Sequence, residues 1–260
     1  MAEQSAAASG TVAPLEAVPA LEVRDVHRSF TLGRDRIEIL HGMSFRIGRG
    51  EFAAIIGPSG SGKSTLLGII AGLDNPTSGQ VFIDGVEITK MSEGDLAQIR
   101  NQKVGVVFQA FNLIPTLTAQ ENVEVPLYVG KHPGSPGDRA RQMLELVGLA
   151  HRLDHKPTEM SGGEQQRVAI ARALGTDPAI VIMDEPTGNL DAANSENVLD
   201  LVRDLQRRTG TTFVVATHDR TVAAAAARVI RIHDGRIEAD GTPGASGVGP
   251  VDPATPAKAS

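Results

Sequence analysis

In the stretch GPSGSGKST, residues 57–65, Gly57, Gly62, Lys63 and Ser64 satisfy the spacing G-x-x-x-x-G-K-[ST]. Glycines let the backbone curl with its N–H groups pointing inward. A helix starting at the end of the loop adds unsatisfied amino-terminal N–H groups and the positive end of its dipole. Such a loop cradles phosphate. Gly57, Pro58, Ser59, Gly60, Ser61, Gly62, Lys63, Ser64 and Thr65 are therefore the candidate nucleotide contacts. Lys63 would reach the β- and γ-phosphates, and the Ser64 hydroxyl would coordinate magnesium. The loop alone does not separate kinases, GTPases and ATPases.

Two further stretches narrow the chemistry. IVIMDEPTGNLD ends an apolar run in Asp184 and Glu185. The first carboxylate suits a magnesium ligand through water, and the second could polarise an attacking water. In MSGGEQQRVAIARAL, Ser161 and Glu164 fit a capping box at the start of a helix, a purely structural role that does not require Gly162 and Gly163. Those glycines leave bare N–H groups at a helix amino end, which makes a second anion site. One nucleotide has a single γ-phosphate, so a second copy of the chain could supply the other.

The elements that must position these groups alternate between strand-like runs and amphipathic helices, a pattern that predicts an α/β fold. LEVRDVHRSF and IEILHGMSFRI read as strands, and Asp84-Gly85 in VFIDGVEI is a two-residue hairpin signal, so an antiparallel β part is expected first. AIVIMD and TTFVVATHD are continuous apolar runs ending in polar residues, as expected of buried parallel strands with functional groups at their carboxyl ends. Helical spacing in DRARQMLELVGL, with Asp138 as cap and Gly148 as stop, and in NSENVLDLVRDLQRRTG, closed by Gly210, points to core packing. Residues 1–20 and 241–260 are rich in Ala, Gly, Pro and Ser and are expected to be flexible tails around a domain at 21–240.

Bulk composition excludes other classes. A net charge of −6 over 260 residues argues against nucleic acid as the main ligand. The chain has no cysteine, which rules out disulfides and thiol chemistry. The amino terminus lacks the basic start and apolar run of a secretion signal, and no apolar run approaches the roughly 18 to 20 residues of a membrane-spanning helix. Any membrane contact is expected to come through a partner.

Taken together these motifs resemble the nucleotide-binding subunits of ABC transporters over residues 21–240. GPSGSGKST resembles Walker A, VVFQAF contains the Q-loop residue Gln109, SGGEQQR resembles the signature, IVIMDEPT resembles Walker B, and ATHD contains the switch His218, in the family's order. GNLD would be the D-loop, with Asp191. The resemblance implies a P-loop NTPase, RecA-like core with an antiparallel β subdomain and an inserted α-helical subdomain at about 96–164. It also implies a head-to-tail homodimer holding two ATP and Mg2+. Each ATP would lie between Walker A of one subunit and Ser161, Gly162, Gly163 and Glu164 of the other. Glu185 would activate water and His218 would contact the γ-phosphate. Gln109 would touch magnesium, alongside Ser64 and Asp184, and Asp191 would span the interface.

Two positions depart from the family pattern. The usual signature begins Leu-Ser-Gly-Gly-Gln, whereas Met160 and Glu164 stand here, which keeps the backbone anion site and brings a carboxylate beside it. Phe30 occupies the place of the aromatic, commonly Tyr, that stacks on adenine. TLTAQENVEVPLYVG and EPTGNLD are most similar to the ATPases of lipoprotein-release, macrolide-export and cell-division systems. That likeness implies a transmembrane permease partner, docking at QAFNLIPTLTAQENV, and a place on the cytoplasmic, inner face of the membrane. The alternatives are a soluble ABC ATPase outside transport and a nucleotide-gated scaffold.

Overall fold

The computed structural model describes residues 18–33, 35–130 and 132–244. The first two strands, β1 (Leu21–Leu32) and β2 (Asp35–Ile47), form a long antiparallel hairpin. β3 (Phe52–Ile56) follows and runs into α1 (Lys63–Ile70). Next come β4 (Ser78–Ile83) and β5 (Val86–Glu87), joined by Asp84 and Gly85 at φ 53° and 79°. Two successive positive φ values are what a two-residue hairpin turn matching strand twist demands, and Ile83 pairs with Val86 across it. The four strands make an antiparallel sheet in the order β2-β1-β4-β5, so the early β part is where the sequence puts it.

α2 (Glu93–Lys103) leads into β6 (Val104–Val107). The helical part then comprises α3 (Ala119–Glu124), α4 (Pro136–Leu146) and α5 (Gly162–Leu174). After it come β7 (Ile180–Asp184), α6 (Ala192–Thr209), β8 (Thr212–Thr217), α7 (Arg220–Ala225), β9 (Arg228–His233) and β10 (Arg236–Gly241). Six strands form the second sheet in the order β10-β9-β3-β8-β7-β6. Five of them are parallel and β10 is antiparallel at the edge.

Alternation along the parallel strands divides the core. Ile180 and Ile182 of β7 and Val214 and Ala216 of β8 face α1 and the antiparallel sheet. Val181, Met183, Phe213 and Val215 face α5 and α6. A sheet covered on both faces needs apolar residues at every position, hence the unbroken runs. Its parallel direction places the ends of β3, β8, β7 and β6 side by side on one edge, where ligands of open α/β sheets bind.

Some boundaries shift. Within the stretch 96–164 expected to form the helical subdomain, Leu96 packs in the core beneath the antiparallel sheet and residues 104–107 are an edge strand. Ser135, not Asp138, caps α4, its hydroxyl accepting from the Asp138 N–H, because the chain turns helical at Pro136. Gly148 does stop that helix, at φ 75°. Of the expected tails, Ala20 is fully buried and its carbonyl accepts from the Asp84 N–H, while Gly241 pairs with Val229. The remainder, 1–17 and 245–260, lies outside the described residues. Among the described residues no helix is long and apolar enough to cross a membrane.

Candidate functional site

The loop between β3 and α1 is held by close backbone approach. A Cβ on Gly57 would lie 2.2 Å from the Ile232 carbonyl oxygen and 2.7 Å from Ser61 Oγ. Gly62 precedes the helix at φ 98°, a left-handed value that suits glycine, and packs on Leu40 of β2. Lys63 is buried and donates from Nζ to the carbonyls of Gly57 at 2.8 Å and Pro58 at 3.0 Å. Burial pushes its pKa down, and the Glu185 and Asp184 carboxylates oppose that shift. The ammonium is thus held by the loop's own carbonyls, within reach of the Asp184 and Glu185 charges.

A cleft of about 520 Å³ opens over this loop, lined by Ile39, Ser59, Gly60, Gly62, Lys63, Ser64, Thr65, Gln109, Glu185 and His218. Apart from Ile39 of β2, these follow the ends of β3, β6, β7 and β8, so residues from Ser59 to His218 meet because their strands are parallel neighbours. Pro58 and Ser61 complete the loop without lining the cleft: Pro58 offers a carbonyl to Lys63, and the Ser61 hydroxyl is buried with no partner.

Glu185 follows β7 at φ 45°, unusual for a residue with a side chain, and its N–H is bonded to the Ala216 carbonyl of β8 at 2.9 Å. One carboxylate oxygen accepts from Thr217 Oγ1 at 3.3 Å, and the other lies 2.9 Å from His218 Nδ1. The pair is fixed from β8, with the His218 ring largely in solvent. Thr217 was not singled out from sequence, although its position before the histidine at the strand end could have flagged it.

Asp184 tests whether the site suits magnesium. Burial raises its pKa and the Ser64 hydroxyl, bonded to it, lowers it. Its Oδ1 is buried with no hydrogen-bond partner. An orphaned carboxylate oxygen on a residue bonded to the Ser64 hydroxyl, with Gln109 lining the same cleft as Ser64, is a set of hard oxygen donors, which fits Mg2+ with its remaining positions on water and phosphate. Gln109 is tied in place by its own carbonyl, which accepts from Asn189 Nδ2 at 2.9 Å.

Phe30 does not line the cleft, but it pairs with Ile37 across the β1–β2 hairpin. Opposed residues share a face, so Phe30 and Ile37 stand side by side, whereas Ile39 sits at a register shift between the Arg28–Leu40 and Ser29–Glu38 pairs, where strict alternation is broken. Phe30 and Ile37 are about half exposed, with the Arg28 guanidinium 4.4 Å from the Phe30 ring centroid. The exposed apolar pair Phe30–Ile37 thus lies on the hairpin whose Ile39 lines the cleft. Sequence reasoning identified only Phe30 of these residues.

None of residues 161–164 lines the cleft among the described residues. Ser161 caps α5 in a full capping box: its Oγ accepts from the Glu164 N–H, and Glu164 Oε2 accepts from the Ser161 N–H and hydroxyl at 2.8 and 2.9 Å. The other Glu164 oxygen accepts from Arg152 Nε at 2.9 Å. These bonds, led by the Ser161 N–H, hold the Glu164 carboxyl below the ordinary glutamate range. The carboxylate is thus turned back on its own cap and paired with Arg152. Arg152 carries no sequence signal for this role. A Cβ on Gly163 would lie 2.7 Å from Asn194 Oδ1, so that glycine is also needed for α5 to approach α6. Asp191 caps α6, accepting from the Asn194 N–H at 2.8 Å, and that bond lowers its pKa.

Comparison with known proteins agrees with this geometry. Residues 40–188 match the family model described as ABC transporter. An uncharacterized ABC transporter ATP-binding protein of Thermotoga maritima is 51% identical over 219 residues, covering 84% of this chain and 93% of that protein. The ATP-binding cassette MJ0796, solved as a dimer in a post-hydrolysis state bound to ADP and Pi, superposes with a TM-score of 0.78 at 42% identity, over 85% of this chain and 98% of that one. The cbiO1 protein of Clostridium perfringens, part of the ABC transporter complex cbiONQ, gives a TM-score of 0.77 at 30% identity, over 86% and 88% of the two chains.

Proposed function

This chain belongs to the ABC transporter family of ATP-binding proteins, and from that premise we propose that two copies pair head to tail around two ATP molecules and drive a separate transmembrane partner. The enzyme is an ATPase of the P-loop ABC type. The observation that carries the reading is the division of the site. The loop, Glu185 and His218 converge on one cleft, while the second anion-binding helix end, at Ser161, stands apart from it. The MJ0796 cassette, described as dimeric, supports a pairing that would bring the two halves together.

In that arrangement the loop N–H groups and Lys63 hold the β- and γ-phosphates, and N–H groups at the amino end of α5 from the second copy face the γ-phosphate. Ser64, Asp184 and Gln109 would hold Mg2+, which neutralises phosphate charge when bound. Glu185, aligned by Thr217 and His218, accepts a proton from the attacking water, and His218 contacts the γ-phosphate. Phe30, Ile37 and Ile39 form the face against adenine. Asp191 sits at the amino end of α6, on the side expected to meet the second copy. The residues following Gln109, through α3, face a permease at the inner surface of the membrane. An export or mechanotransmission system is the subgroup that the motifs resemble.

Glu185→Gln tests the sandwich. The variant should bind ATP, lose hydrolysis and run as a dimer in ATP by light scattering after size-exclusion chromatography. A monomer with ATP bound would refute it.

A further inference from the structure

Beyond Gln109 the backbone is strained. Phe111 and Asn112 both occupy the left-handed region, at φ 60° and 48°. Adjacent residues with side chains persist there only when surrounding contacts hold them. The contact comes from the last turn of α5, where Arg172 donates from Nη2 to the Phe111 carbonyl at 2.9 Å and from Nη1 to the Asn112 carbonyl at 2.6 Å. A planar guanidinium can span two neighbouring carbonyls in fixed geometry, which the point charge of an ammonium does not. Burial lowers the pKa of Arg172, so its charge is held by these carbonyls in partly dry surroundings.

The amino end of the same helix meets the same residues. A Cβ on Gly162 would lie 3.8 Å from Phe111 Cζ. Further along, fully buried Asn122 closes the turn: its Oδ1 accepts from the Ile114 N–H at 2.7 Å, and its Nδ2 donates to the carbonyls of Ile114, Leu117 and Thr118. Residues 111–118 are therefore clamped to α5 on one side and α3 on the other, while Gln109 reaches into the phosphate cleft.

We propose that Arg172 is a positioning residue that holds the strained residues after Gln109 to the helix bearing Ser161, so that the backbone carrying Gln109 and the second anion site are linked through one side chain. This role rests on the head-to-tail reading given above. Arg172→Lys and Arg172→Ala would be made in the full chain, each in the native and the Glu185→Gln backgrounds. Affinity for a fluorescent ATP analogue should change by less than about twofold, because Arg172 touches neither the loop nor the Phe30–Ile37 pair. The kcat for ATP hydrolysis should fall by about tenfold or more, and the ATP concentration for half-maximal dimerisation in the Glu185→Gln background should rise by a similar factor. Should Arg172→Ala fail to fold, Arg172→Lys with a native urea midpoint carries the test. A Lys variant with native kcat and native dimerisation overturns the role. So does a loss of analogue affinity that tracks a lowered urea midpoint, which would mark Arg172 as structural only. Failure of the Glu185→Gln parent to dimerise in ATP would refute the sandwich itself, and this role with it.

Discussion

Glu164→Gln is the sharpest test of how a carboxylate is accommodated at the amino end of α5. The family's usual residue there is glutamine, and glutamine can complete a capping box as well as glutamate. In this chain, however, Glu164 accepts on both oxygens: from the Ser161 N–H and hydroxyl on one, and from Arg152 on the other. An amide must turn its NH2 toward one of these donors, so one charge-assisted bond is lost. Such a bond contributes roughly 1.5–3 kcal/mol when buried. Arg152 is about a third exposed and can recover water, so about 1.5 kcal/mol is expected, at the low end. For a domain of this size that lowers Tm by roughly 3–6 °C.

The pH dependence of this loss has a definite sign. The Glu164 carboxyl is held below its ordinary range in the folded chain, chiefly by the Ser161 N–H. Its contribution is therefore fully present above the unfolded carboxylate pKa and is lost as pH falls through the depressed folded value. Urea unfolding of both chains should show a constant gap near neutrality that closes in acid. Arg152→Met should cost less in the Glu164→Gln background than in the native one. No gap near neutrality, or a gap that widens on acidification, would refute the bonding scheme.

Four further substitutions probe the cleft and its surroundings. Gly57→Ala should destabilise the chain by about 2 kcal/mol or more in urea, since its Cβ would meet the Ile232 carbonyl at 2.2 Å; Gly60→Ala, with open space but φ 81°, should cost about 1 kcal/mol. Lys63→Ala should weaken ATP binding by roughly ten- to a hundredfold in equilibrium titration, the equivalent of about 1.5–3 kcal/mol of charge-assisted contact. Phe30→Ala should weaken ATP binding by about fivefold or more while leaving the affinity for inorganic phosphate unchanged, because stacking of a base on an aromatic ring contributes about 1–3 kcal/mol. Equal loss for both ligands would mean that Phe30 supports the loop and not the base.

Much of the site was legible because its chemistry is local. The phosphate loop, the Asp184-Glu185 pair, the capping box at Ser161 and the histidine after β8 each depend on residues within a few positions of one another, where backbone geometry is set by residue type. The hairpin at Asp84-Gly85 was legible for the same reason. Boundaries were less so: Pro136 moves the cap of α4 to Ser135, and the apolar run VGVV joins a sheet whose other strands come from distant sequence.

Residue type and short spacing alone thus pointed to a phosphate-cradling loop, a water-activating carboxylate and a second anion-binding helix end, the roles proposed here for residues 57–65, Glu185 and residues 161–164. Tertiary structure decided what those groups touch. It placed Thr217 and His218 on Glu185, left one oxygen of Asp184 without a donor, turned Glu164 onto Arg152, paired Phe30 with Ile37, and hung two left-handed residues from Arg172. Such contacts join residues far apart in the chain through strand order and helix packing, which no short pattern encodes.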